Sequence, residues 1–184
     1  LNPQTIWGKG KLQEVALEQL TNDVKWDEID VLVADIPPGT GDPLISLNNI
    51  LKPSGSLLVT TPQETSINDV LRSKNAFKKL KCEIIGIVAN MNGYFDKDQK
   101  KILPLFPTAL KKFVDEEELN LLAEIPFNPK IAESCESGKP YLCDEKNREE
   151  ESWQNLINGI YEFLVKKIEK NKKYNRIGKL KIID

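Results

Sequence analysis

The chain of 184 residues contains no histidine. This excludes Ser/His/Asp and Cys/His catalytic triads and any zinc site with a histidine ligand. Its three cysteines, Cys82, Cys135 and Cys143, are too few and too widely spaced for a disulfide framework, and they favour a reducing compartment. No apolar run approaches the roughly 18 residues that a membrane span needs. Chemistry in this chain must therefore use carboxylates, backbone dipoles, thiolates or a bound metal.

The net charge of the chain is also small. The 26 basic and 28 acidic side chains leave a formal charge of −2, which predicts neither a nucleic acid nor an anionic membrane as partner. A composition of 40% hydrophobic and 29% charged residues is ordinary for a globular protein, and the length suits one domain with a substantial core.

Short apolar runs alternate with helical patterns along the chain. The first helix is predicted over residues 11–24. The runs that we interpret as strands are Val31–Ile36, Ser56–Thr61, Ile84–Asn90 and Leu121–Ile125. Unbroken apolar runs are typical of parallel strands covered on both faces. The alternation predicts an α/β fold with a doubly wound, mostly parallel sheet flanked by helices, and residues 91–118 are the least regular region.

A long helix is predicted near the end of the chain, over about residues 149–170, where apolar side chains recur at helical spacing. Packing of this helix on the sheet is the simpler interpretation. A membrane or partner helix is the alternative, since lysines cluster at its end. A basic last turn is also what the helix dipole favours, so the packed helix is preferred.

The most informative segment is Asp35–Asp42, Asp-Ile-Pro-Pro-Gly-Thr-Gly-Asp, which follows the first apolar run. An acid at the end of a buried strand needs a partner, and Mg²⁺ fills this role in nucleotide-hydrolysing folds. Gly39 and Gly41 allow backbone N–H groups to turn toward an anion, and Thr40 adds a hydroxyl. Alternatively, Asp35 is a structural carboxylate bonded to a backbone N–H, and Asp42 only caps a helix.

Four segments in order resemble Mrp-type P-loop ATPases, relatives of MinD and ParA. They are Asp35–Asp42, similar to the Walker B and switch II signature, Thr60–Gln63 (Thr-Thr-Pro-Gln), Gly86–Met91 (Gly-Ile-Val-Ala-Asn-Met), and Glu124–Pro129 followed by Ser137–Pro140. The resemblance covers roughly residues 5–145 and implies a MinD/ParA-like fold that binds ATP and Mg²⁺. It implies that Asp35 is the Mg²⁺-associated acid, acting through water. It also implies that Pro38, Gly39 and Thr40 bind the nucleotide, with the N–H group of Gly39 contacting the γ-phosphate. It also implies that Asn90 and Pro126 line the adenine pocket.

Two departures from that family bear on function. The sequence has no Gly-rich lysine loop, so we expect residues 1–172 to be the C-terminal part of an ATPase domain and residues 173–184 a tail or the start of another domain. We expect this chain alone not to hydrolyse ATP. The Cys-x-x-Cys of most Mrp-type proteins is also absent after Asn90-Met91, where the loop resembles the plant plastid branch, described as a [4Fe–4S] scaffold.

The remaining cysteines set the alternatives for a cluster. Cys135 and Cys143 from each subunit of a homodimer would supply the four thiolates that clusters commonly use. The simpler interpretation is that neither has a ligand role, and that Cys82, which lies before a strand, is structural.

Three functions compete. The first is an ATP-switched iron–sulfur carrier or scaffold that serves apoproteins, with neither nucleic acid nor membrane as partner. The second is a MinD/ParA-like positioning ATPase that acts on membrane or DNA. The third is a non-catalytic binding module. The cytosol is the expected compartment, with the plastid or mitochondrion as alternatives.

Overall fold

The computed structural model describes residues 9–26, 28–36, 42–96, 98, 101–106 and 110–173. Its helices are α1 (Lys9–Asn22), α2 (Asp42–Leu51), α3 (Glu64–Lys79), α4 (Leu110–Glu116), α5 (Pro129–Ser137), α6 (Glu145–Arg148) and α7 (Glu151–Lys173). Its strands are β1 (Ser56–Thr60), β2 (Ile84–Asp96), β3 (Lys101–Leu103) and β4 (Leu121–Phe127), and a 3-10 turn spans Tyr141–Cys143. Of residues 173–184, expected to be a tail or the start of another domain, all but Lys173 lie outside the described residues.

One mixed sheet organises these elements. β2 is its central strand and pairs in parallel with β1 on one side and with β4 on the other. The short β3 runs antiparallel to the end of β2. The α/β alternation predicted from the apolar runs is thus confirmed, with three predicted strands present and parallel. The region 91–118, expected to be irregular, instead contains the end of β2, β3 and α4.

Helices cover both faces of the sheet. On one face, Leu58, Ile87 and Ala89 join side chains of α2, α3 and α4 in the larger core cluster. On the other face, Val88, Ala123 and Ile125 are covered by Trp153 and Leu156 of α7. The adjacent residues Ile87 and Val88 point to opposite clusters because successive strand side chains alternate between faces. This two-sided burial explains the unbroken apolar runs, and it confirms that α7 packs on the sheet.

The run Val31–Ile36 is the exception to the predicted strands. It forms no strand in the part of the chain that the structure describes. Val31, Leu32 and Val33 are 53%, 43% and 84% exposed, although Ile36 packs against the larger core cluster. The prediction of a buried strand here is wrong for this structure, because an apolar run is buried only where a neighbouring strand and a covering helix meet it.

Candidate nucleotide-binding site

The carboxyl ends of β1, β2 and β4 meet at one edge of the sheet because the three strands are parallel. Asn90 in β2 pairs with Ile125 in β4, and Pro126 is the next residue along β4. Both Asn90 and Pro126 are half-buried. The two residues expected to line an adenine pocket therefore occupy neighbouring positions on adjacent strands, at the edge where α/β folds bind their ligands.

A local irregularity shapes this edge. The register between β2 and β4 shifts between Asn90 and Tyr94, so three residues of β2 lie opposite Pro126 alone. Proline has no N–H to donate to a strand ladder, which places it at bulges and edges of sheets. Met91, at the start of the bulge, has a left-handed φ of 54°. Beyond it, Asn92 Nδ2 donates to Glu124 Oε1 at 2.6 Å and reconnects the strands.

The carboxamide of Asn90 is only partly used within the chain. Its Oδ1 accepts a hydrogen bond from Met91 N at 3.0 Å, which orients the side chain at the strand end. Among the described residues, no acceptor is found for its Nδ2 group. An amide has two donors and two acceptor lone pairs. Asn90 therefore retains both a donor and acceptor capacity with which it can read the edge of a purine base.

Asp35 is exposed rather than buried as its sequence context suggested. No hydrogen bond or ion pair holds its carboxylate within the described part of the chain, so the alternative of a structural carboxylate bonded to an N–H is not observed. An accessible, unpaired carboxylate is the hard oxygen donor that hydrated Mg²⁺ binds. The carboxylate of Asp35 is thus suited to hydrated Mg²⁺, although no group of three or more His, Cys, Asp or Glu side chains among the described residues could hold a metal ion by itself. Pro38, Gly39 and Thr40 lie outside the described residues, which resume where α2 begins at Asp42.

The three thiols differ in exposure. Cys82 is buried, whereas Cys135 in α5 and Cys143 in the 3-10 turn are exposed, and these two elements contact each other. Within the described ranges, no group of three or more His, Cys, Asp or Glu side chains is arranged to hold a metal ion. A cluster on this chain would therefore need ligands beyond those that one copy brings together.

One feature near the site was not predicted from the sequence. Asn128 Nδ2 donates to the Tyr141 hydroxyl at 2.8 Å, and that hydroxyl donates to Glu150 Oε1 at 2.6 Å. Asn128 also caps α5, since its Oδ1 accepts from Lys130 N at 3.1 Å. Of these contacts, only the cap has a recognisable sequence signal, an Asn before a Pro at the first helical position.

Comparison with known proteins agrees with this architecture. Residues 2–161 match the family described as NUBPL iron-transfer P-loop NTPase. The chain is 37% identical over 143 residues to the cytosolic Fe-S cluster assembly factor NBP35 of Kluyveromyces lactis, covering 74% of this chain and 44% of that protein. It is 36% identical to the iron-sulfur cluster carrier protein of Helicobacter pylori, over 77% of this chain and 39% of the relative.

Solved structures show the same fold. A nucleotide-binding protein in complex with ADP from Archaeoglobus fulgidus aligns with a TM-score of 0.64 and 25% identity, covering 77% of this chain and 56% of that one. The cell division ATPase MinD of Pyrococcus furiosus aligns with a TM-score of 0.54 and 25% identity, over 85% of this chain and 58% of MinD.

The chain spans 44% and 39% of the length of the two curated relatives named above. Its family match, in contrast, extends over most of its own residues. The structural likeness to MinD agrees with that match. The chain therefore belongs to the NUBPL iron-transfer P-loop NTPase family.

Proposed function

We propose that the whole protein is an ATP-dependent iron–sulfur cluster carrier that delivers clusters to apoproteins, and that this chain contributes its base pocket and its Mg²⁺-associated acid. The proposal is carried by the position of Asn90, which pairs with Ile125 and so lies beside Pro126 at the carboxyl edge of the sheet. The chain also matches the iron-transfer family over residues 2–161. The names of the Kluyveromyces lactis and Helicobacter pylori relatives support the cargo.

The proposed nucleotide site divides the work among a few residues. Asn90 binds the adenine edge through its amide, and Pro126 forms a rigid apolar wall beside it. Asp35 holds Mg²⁺ through water, and Gly39, between Pro38 and Thr40, contacts the γ-phosphate. When bound, Mg²⁺ neutralises charge on the phosphates. The lysine loop that holds the phosphates would be supplied by sequence outside the 184 residues, since none occurs within them.

ATP binding to the full-length protein tests the nucleotide site. We expect Asn90→Ala to weaken ATP binding about tenfold, because one or two net hydrogen bonds to the base are lost. Asn155→Ala, at an exposed position of α7, is the matched control and should leave affinity unchanged. Asp35→Asn should abolish magnesium-dependent hydrolysis, and the 184-residue chain alone should show none. Equal affinity of wild type and Asn90→Ala would remove the base pocket from the proposal.

The proposed cargo site uses Cys135 and Cys143 from each of two copies. Both thiols are exposed, on elements that contact each other. Two copies would bring four thiolates, the set that a [4Fe–4S] cluster commonly requires. A homodimer is therefore part of the proposal, with the cluster as cargo rather than as a permanent component.

Anaerobic reconstitution of the full-length protein tests the cargo site. We expect iron and sulfide to bind with dimer formation, measured by absorbance, iron content and light scattering. Serine at Cys135 or Cys143 should greatly reduce the bound iron, whereas Cys82→Ser, the buried control, should not. If both exposed cysteines can be replaced without loss of iron, their assignment is wrong. If wild type binds no iron, the carrier function itself is wrong.

A MinD-like positioning ATPase is the second proposal, supported by the structural likeness to MinD. No helix of the described residues is long and apolar enough to cross a membrane. Co-sedimentation with anionic liposomes in the presence of ATP would favour this function over the carrier.

The name of the Kluyveromyces lactis relative supports the cytosol as the compartment, and fractionation of cells that express the tagged protein tests it.

A further inference from the structure

A chain of three polar side chains connects the end of β4 to the residues that precede α7. Asn128 Nδ2 donates to the Tyr141 hydroxyl at 2.8 Å, and the hydroxyl donates to Glu150 Oε1 at 2.6 Å. All three side chains are half-buried. This network ends at Asn128, two residues beyond Pro126, the proposed wall of the base pocket.

Tyr141 itself is held on several sides. Its ring lies 6.2 Å from that of Trp153, centroid to centroid, at an interplanar angle of 47°. Trp153 in turn packs against the cluster of Val88, Ala123 and Ile125 on the sheet. The backbone oxygen of Tyr141 accepts from Asn147 Nδ2 at 2.8 Å. Tyr141, whose hydroxyl contacts Asn128, is thus held in place by Trp153, which packs on the core.

The side-chain amide of Asn128 makes one local and one long-range hydrogen bond. Its Oδ1 caps α5 through Lys130 N, and its Nδ2 reaches Tyr141. Without Tyr141, the cap can persist and Phe127 still pairs with Tyr94 of β2, but the long-range contact of the Asn128 side chain is lost. Within the segment 126–128, the strand pairing involves Phe127, whereas Pro126 lies opposite the bulge in β2.

We propose that Tyr141 is a positioning residue of the nucleotide site, which holds the segment 126–128 through Asn128 and so sets the distance between Pro126 and the base. The inference rests on the proposed ATP-binding function. It predicts that Tyr141 contributes to the binding of the base and not to the binding of the phosphates.

The experiment compares ATP with inorganic tripolyphosphate, which has the phosphates and no base, on the full-length protein by calorimetry. We expect Tyr141→Phe to raise the Kd for ATP about fivefold, as for one lost hydrogen bond, and to leave the Kd for tripolyphosphate within about twofold. Tyr161→Phe, at a side chain that is 66% exposed, is the matched control and should change neither Kd.

Variants of Glu150 extend the test. Glu150→Gln keeps an oxygen acceptor for the tyrosine hydroxyl and should bind ATP like wild type. Glu150→Ala leaves the hydroxyl able to accept from Asn128 but removes the group that orients it, so it should raise the Kd for ATP by less than Tyr141→Phe does. An ATP Kd unchanged in Tyr141→Phe would overturn the proposal, as would equal weakening of both ligands, which indicates general loss of structure. If wild type binds ATP no more tightly than tripolyphosphate, the proposed base pocket fails as well, and if it binds neither, the nucleotide-binding function itself fails.

Discussion

The three thiols differ in burial, from which we predict different reactivities. Burial raises the pKa of Cys82 above its ordinary value of 9.0, and a hydrogen bond with Ser56 opposes this only in part. Cys135 and Cys143 are exposed. Because the thiolate is the reactive form, we expect Ellman's reagent to label two thiols rapidly in the apoprotein and the third only after denaturation. Cys82→Ser should keep both rapid thiols, and three rapid thiols in wild type would contradict the burial of Cys82.

Tyr141 provides a stability effect with a defined pH range. Burial, followed by the hydrogen bond to Glu150 and its negative charge, raises the pKa of Tyr141 from 10.0 to about 12. The folded state therefore favours the neutral phenol, so this contribution is complete below pH 10 and is lost as the pH rises toward 12. We expect the difference in urea midpoint between wild type and Tyr141→Phe to be larger at pH 9 than at pH 11. A difference that is constant with pH would contradict the shift.

The contact of α7 with β4 depends on a glycine in the helix. A Cβ at Gly159 would lie 2.6 Å from Leu122 Cδ2, closer than packed side chains allow. Gly159→Ala should therefore destabilise the fold by about 1–2 kcal/mol through overpacking, although alanine is the better helix former. With Leu122→Ala, the obstacle is removed and the same substitution should become stabilising by about 0.5–1 kcal/mol. Urea unfolding followed by circular dichroism measures this double-mutant cycle, and additive effects would show that the contact is absent.

At the level of the intact fold, the helices cover neighbouring strands of the sheet unequally. Val59 in β1 and Val88 in β2 are paired in register, yet they are 53% and 2% exposed, because α7 packs mainly on β4 and β2. Val88→Ala should lower the free energy of unfolding by about 2 kcal/mol, through lost burial and a cavity. Val59→Ala should lower it by less than about 0.5 kcal/mol. Equal losses in chemical denaturation would mean that another part of the protein covers β1.

The local patterns were sufficient for the elements whose signal lies within a few residues. The apolar runs at Ser56–Thr61, Ile84–Asn90 and Leu121–Ile125 correspond to β1, β2 and β4, and the helical spacing near the C-terminus corresponds to α7. The end of α5 also has a local signal, since Gly138 adopts a left-handed φ of 67° at its C-cap, although this helix was not predicted from the sequence. Such features need no distant partner. The family match over residues 2–161 agrees with the resemblance carried by those motifs.

The tertiary structure decided what depends on partners far along the chain. Val31–Ile36 has the composition of a buried strand, yet its first five residues are exposed, because no described strand pairs with the run. Asn90 and Pro126 are 36 residues apart in sequence and become neighbours only through the pairing of β2 with β4. Tyr141 has no motif to mark it and reaches Asn128 and Glu150 only when α5 and α7 are in place. Side-chain periodicity reports which face of an element is apolar, whereas burial and contact require the second surface that folding brings to it.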